Sequence, residues 1–162
     1  MWSARSWGAT AAEEAAALPC DALLPDAPLV LHRAVPVEAS AAVVFRWLCQ
    51  LRAAPYSYDA LDNLGRRSPQ SLTPGLEELA VGQRVMSIFR VASFAPDDHL
   101  TVRHRGPVFG AVAVTYAVRP GRLLMRVRWR PGVLRPLAAL LAVGDLIMAR
   151  RQLRNLKELA ER

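Results

Sequence analysis

"GAVAVTYAVRPGRLLMRVRWR", residues 110 to 130, consists of two runs in which large apolar side chains recur at every second position, joined by Pro120-Gly121. Val112, Val114, Tyr116 and Val118 keep this period in the first run, and Leu123, Met125, Val127 and Trp129 keep it in the second. Successive side chains of a strand point to opposite faces, so each run has one apolar face. Arg122, Arg126, Arg128 and Arg130 take the other. A Pro-Gly pair suits a tight turn. The stretch therefore predicts an antiparallel hairpin with one face in the core and one basic face in solvent.

Upstream, the same period continues. "GQRVMSIFRVASFA" (82 to 95) and "HLTVRHR" (99 to 105) read as two further strands, connected through Pro96-Asp97-Asp98 and Gly106-Pro107. Turns this short favour an antiparallel meander. "LVLHRAV" (29 to 35) reads as a first strand ended by Pro36. Between it and the meander, "SAAVVFRWLCQLR" has Ser40 placed as an N-cap, with Val44, Trp47, Leu48 and Leu51 at helical spacing. Pro55 stops that helix. "YDALDNLG" can then form two short helical turns before Gly65, and "RRSPQSLTPGLEEL" is a loop by composition.

Downstream, "VLRPLAALLAVGDLIMARRQLRNLKELAER" predicts a helix of about seven turns. Leu134, Leu137, Ala138, Leu141, Met148, Leu156 and Leu159 make its apolar stripe, and Asp145 falls on that stripe. Residues 1 to 27 are Ala-rich and then broken by Pro19 and Pro25, which predicts an arm laid over a single domain of residues 28 to 162. A chain of 162 residues is the size of one domain.

The formal charge of +7 comes from 20 Arg and one Lys against 14 acids. No long basic run occurs and no aromatic residues interleave with the arginine row, which argues against nucleic acid. An ordinary solvated face is expected for that row, with an acyl carrier protein or an anionic membrane surface as the partner it would otherwise suit. The apolar stretch 136 to 149 is shorter than a membrane span and carries Asp145, so no transmembrane segment is expected. Glu13 and Glu14 interrupt the run a secretory signal would need, and Cys20 and Cys49 stand apart without a metal-binding spacing. A cytoplasmic protein with two free thiols is the expectation.

The order strand, helix, antiparallel strands, long last helix is that of the helix-grip fold. The chain resembles the START-like, polyketide cyclase/dehydrase-like (SRPBCC) superfamily, in an actinobacterial-type subgroup. "SWGAT", "LPCD", "HRAVPVEASAAVVFRWLCQL", "PYSYDALDNLGRRSP" and "MARRQLRNLKELAER" carry the likeness along nearly the whole chain. The resemblance implies an α+β fold in which a curved antiparallel sheet wraps a long C-terminal helix, with short helices after the first strand and a cavity between sheet and helix. Ala54-Pro55 and Ala60 depart from the subgroup's pattern at the expected mouth of that cavity.

Three functions follow. The first is binding of a small, largely hydrophobic molecule, polyketide-like, aromatic or lipid, without a cofactor. The second is a cofactor-independent cyclase or dehydratase in the same cavity, and the third a non-catalytic interaction module with a basic sheet face. Nucleophile, phosphate-loop and metal motifs are absent, so proton transfer in an apolar cavity is the remaining chemistry, with no metal. Asp145, Tyr58, Asp62 and His104 are the candidates for it. Tyr56, Tyr58, Asp59, Phe89, Tyr116, Met125, Trp129, Leu141 and Met148 are the candidate ligand contacts. Two alternatives stay open at this point: Asp145 either pairs with an arginine from the sheet or the "GRRSP" loop, or faces the ligand. Likewise the Tyr58, Asp59 and Asp62 cluster either meets ligand or caps a turn.

Overall fold

A computed structural model describes residues 4–58 and 64–162. Strands β1 (Ser6–Trp7), β2 (Leu29–Pro36), β3 (Arg84–Val85), β4 (Phe89–Ala95), β5 (His99–Gly106), β6 (Gly110–Arg119) and β7 (Arg122–Arg130) form one curved open sheet. Its order is β1-β2-β7-β6-β5-β4-β3. All neighbours are antiparallel except β1, which runs parallel to β2. Helices α1 (Ala11–Ala15) and α2 (Pro19–Leu23) belong to the arm; α3 (Ala41–Cys49) follows β2, and α4 (Ala138–Ala160) ends the chain. The protein is α+β.

The β6–β7 hairpin forms with the register its periods require. Val114 lies opposite Val127 and Tyr116 opposite Met125 on the concave face, while Thr115 lies opposite Arg126 on the convex face. Ser40 caps α3 by accepting a hydrogen bond from the Val43 amide. The concave face then packs on α3 and α4 through Leu31, Val35, Leu100, Val102 and Leu123 from the sheet and Leu146, Leu153 and Leu156 from α4.

One expected strand divides in two. Residues 82 to 95 form the β3–β4 hairpin, because Met86 and Ser87 both adopt left-handed backbone conformations, with φ of 47° and 67°. No Gly or Asn marks this turn, so alternation reads straight through it.

The expected solvated arginine face is a second correction. Arg126 is 3% exposed, and the arm covers it. Its guanidinium donates to the carbonyls of Glu13, Glu14 and Ala16, the unpaired C-terminal carbonyls of α1, and to the Asp21 carboxylate at 2.7 Å. Arg128 donates to the Leu24 carbonyl at the end of α2, to the Pro25 carbonyl and to Asp21. Arg122 takes Glu13 and the Gly8 carbonyl. Of the row, Arg130 remains exposed.

Small residues make room for the arm. Ala34, Ala113 and Ala117 on the convex face admit Leu18, Cys20 and Leu24. The Cys20 amide donates to Thr115 Oγ1 at 3.0 Å, and Thr115 bonds to Thr101 at 2.8 Å. Gly8 is needed where the arm crosses β2: its φ is +74°, and a Cβ there would sit 2.1 Å from the Ala34 carbonyl oxygen. Trp7 reaches round the sheet edge to α4, where the guanidinium groups of Arg150 and Arg154 lie 5.1 and 5.5 Å from its ring centroid.

Candidate functional site: a cavity under the last helix

Where α4 crosses the concave face, its first half stands away from β4 to β7 and leaves a two-lobed cavity. The lobe of about 550 Å³ lies between Tyr116, Met125 and Val127 on the sheet and Asp145, Met148 and Gln152 on α4. The other lobe, about 360 Å³, lies between Leu31 and Trp129 on the sheet and Leu141 and Gly144 on α4. Ile88, Phe89, Phe109, Val112, Val127, Asp145 and Met148 line both lobes, which are therefore one space. A larger depression of about 760 Å³ lies over Arg90, Arg103, Arg105 and the arm's Leu23 and Leu24. Its walls are as polar as they are apolar and carry three arginines, so volume alone does not make it the better ligand site.

Few polar groups enter the cavity. Arg33, on the concave side of β2 in phase with Leu31 and Val35, is fully buried. Its Nη2 donates to Asp145 Oδ2 at 3.1 Å and its Nη1 to the His32 carbonyl, while its Nε has no partner among the described residues. A third of the Asp145 side chain remains accessible, and that surface opens into the cavity. Oδ1 carries no hydrogen bond from a described residue. Burial pushes the Asp145 carboxyl above its ordinary range, and the Arg33 charge and hydrogen bond pull against it. Burial likewise lowers Arg33, opposed by Asp145.

A second polar chain runs beside the pair. The Tyr116 hydroxyl donates to Gln152 Oε1 at 2.7 Å, and Gln152 Nε2 donates to the Pro55 carbonyl at 2.7 Å and lies 3.2 Å from Met86 Sδ. Burial, and then the Asp145 charge, raise the Tyr116 pKa. Ser57 donates to the Met148 carbonyl, tying the segment after α3 to α4.

The sequence candidates separate accordingly. Asp145, Phe89, Tyr116, Met125, Trp129, Leu141 and Met148 line the cavity. Tyr56 does not: it is buried edge-on to Trp47, with its hydroxyl donating to the Pro69 carbonyl. Tyr58 faces outward beside Ile147, with Arg151 5.9 Å from its ring centroid. His104 stands at the rim between Phe89 and Phe109, and its Nδ1 meets the Ile88 carbonyl at 3.0 Å, which makes Nδ1 the protonated nitrogen. Asp59 and Asp62 lie outside the described residues.

Arg33 and Gln152 were missed. Both were legible by phase, Arg33 as the charged member of an otherwise apolar strand face and Gln152 as a polar residue on the α4 stripe between Met148 and Leu156. Among the described residues no group of three His, Cys, Asp or Glu is placed to hold a metal. Both cysteines are free and buried, and burial pushes the Cys49 thiol up to about 11.

No family model matches the chain, and no curated protein matches it. Among solved structures it is similar to protein MLL2253 from Mesorhizobium loti, with a TM-score of 0.47 and 18% identity, over 80% of this chain and 95% of that one. No described helix is long and apolar enough to cross a membrane.

Proposed function

We propose that this chain is a helix-grip protein of the START-like, polyketide cyclase/dehydrase-like kind, and that it encloses one small, largely apolar molecule between its sheet and α4. The observation that carries the reading is the cavity itself: an apolar space of ligand size with, among the described residues, a single accessible carboxylate, Asp145, facing into it. Because Arg33 neutralises that carboxylate, the pair favours a neutral hydrogen-bond donor over a free cation. Oδ1 accepts from a hydroxyl or phenol of the ligand, and Phe89, Val127, Trp129 and Met148 cover the apolar remainder. A ligand carboxylate would lose its hydration in this apolar space without gaining a free cation.

Catalysis is the second reading. A carboxyl whose pKa is raised by burial is suited to acid or base work near neutrality, and among the described residues Asp145 is the one such carboxyl lining the cavity. Asp145 would then move the proton in a cyclisation or dehydration, with Tyr116 and Gln152 orienting the substrate.

Native mass spectrometry and a matched ligand series test the proposal. A medium-chain alcohol should bind at least ten-fold more tightly than the alkane or the carboxylate of equal length, and Asp145→Asn should reduce that preference. Met148→Trp, which fills the cavity, should abolish binding with little change in melting temperature. Failure of every member of the series to bind wild-type protein, with no co-purifying molecule, would overturn the cavity reading. Equal binding of alcohol and alkane would remove the role of Asp145 alone. Turnover of a candidate polyketide that Asp145→Asn abolishes while binding persists would establish the enzyme.

A further inference from the structure

The end of the sheet where the cavity opens carries an unusual surface. Ile88, Val108, Phe109, Val133, Leu137 and Leu140 are all exposed there, from 41% at Phe109 to 73% at Val133. They are held together by the backbone: the Val133 and Leu134 amides donate to the carbonyls of Pro107 and Val108, and the Trp129 indole donates to the Phe109 carbonyl. His104 fixes the Ile88 carbonyl beside them. The β5–β6 turn, the segment before α4 and the first turn of α4 thus make one protruding apolar tip.

Charge around the tip is one-sided. Arg90 pairs in register with Arg103, and Arg105 and Arg130 flank Ala111, all on the convex side of the same end; Arg135 lies just before α4. All five are exposed, and none forms a salt bridge with a described residue. From residue 79 to 144 the only acids are Asp97 and Asp98, in the β4–β5 turn at the opposite end of the sheet. Asp26, in the turn before β2, is an acid at this end among the described residues, against five arginines.

We infer that this tip docks on an anionic lipid surface, with the apolar side chains entering the headgroup region and the arginines meeting lipid phosphates. A protruding apolar point fits a deformable lipid surface better than a rigid partner, which would need a matching groove. Long arginine side chains set back from the point are placed to reach headgroups as the tip enters. Docked this way, the cavity mouth would face the bilayer. The surface features stand whether or not the cavity holds a ligand.

Flotation with vesicles of phosphatidylcholine alone, or of phosphatidylcholine mixed with phosphatidylglycerol, reads the inference directly. The expected result is at least ten-fold tighter binding to the anionic vesicles, weakened by salt. Leu140→Asp, and separately Arg105→Glu with Arg130→Glu, should each lower binding ten-fold or more with melting temperature unchanged. Arg162→Glu, a charge reversal at the far end of α4, should bind as wild type. Equal binding to both vesicle types, no binding to either, or tip variants that bind as wild type would overturn the inference. So would capture by an acidic carrier protein with vesicles ignored. Ligand binding measured on the same variants stays intact if only the docking surface is lost, which separates this outcome from failure of the cavity reading.

Discussion

Arginine stands on both faces of this sheet, and where it is covered the two faces treat it oppositely. On the convex side Arg122, Arg126 and Arg128 are each met by carbonyls and a carboxylate from the arm, Arg126 and Arg128 sharing Asp21, so their donors are used. On the concave side Arg33 has one carboxylate, one carbonyl and an orphaned Nε, and its carboxylate partner faces open space. Full satisfaction marks a structural clamp. Partial satisfaction behind a cavity leaves Asp145, the partner that lines it, with an accessible oxygen.

The sharpest way to break this contrast is to remove one partner on each face. Asp145→Leu should cost about 3–5 kcal/mol in urea unfolding, because it strands a buried guanidinium. Adding Arg33→Met should recover most of that loss, since replacing both partners removes the uncompensated charge. Arg126→Ala should cost less, about 2–3 kcal/mol, from its charge-assisted bonds to the arm. Its clearer signature is local, with residues 4–27 becoming protease-sensitive while amide exchange in β6 and β7 stays slow. If Arg126→Ala unfolds the whole chain cooperatively, the arm is part of the core.

Tyr116→Phe is a smaller change, about 1 kcal/mol, because it leaves Gln152 Oε1 without its donor but opens no large space. The smallest expected effect concerns pH. His32 is held below its ordinary pKa by burial, and next by the positive charge of Arg126, whose Nε donates toward its Nδ1. A depressed imidazole is neutral in both states above pH ~6.5; as pH falls below that value the unfolded chain takes up the proton first. Stability should therefore decline on acidification through that window. His32→Gln should flatten the decline, as read from thermal melts at pH 5 and pH 7.

Much of the fold was open to reading in the chain because its large signals are periodic. The β6–β7 hairpin, α3 with its Ser40 cap and most of the long α4 follow from spacing alone; α4 begins at Ala138, past Leu134 and the exposed Leu137 that its expected stripe included. What escaped has no local signal. β1 is two residues long and exists because the edge of β2 is free to receive it, and the Met86-Ser87 turn lacks the residues that mark such turns. Arg122, Arg126 and Arg128 obeyed their period; only their partners, some hundred positions earlier, decide that they are covered. The site shows the same division. Asp145 is conspicuous as an acid among leucines, but Arg33 becomes its partner only once β2 is laid beneath α4.

The arm also fixes an order of events. Helices α1 and α2 have five residues each, too few to persist alone, and the arginines that hold them come from β7, over a hundred residues later in the chain. During synthesis these early residues must wait, unfolded, until nearly the whole sheet has emerged and closed. The arm is made before the strands that hold it and fastened after them, and once in place it is in effect a seal that reports that the β2–β7–β6 platform beneath it has been assembled in the correct register.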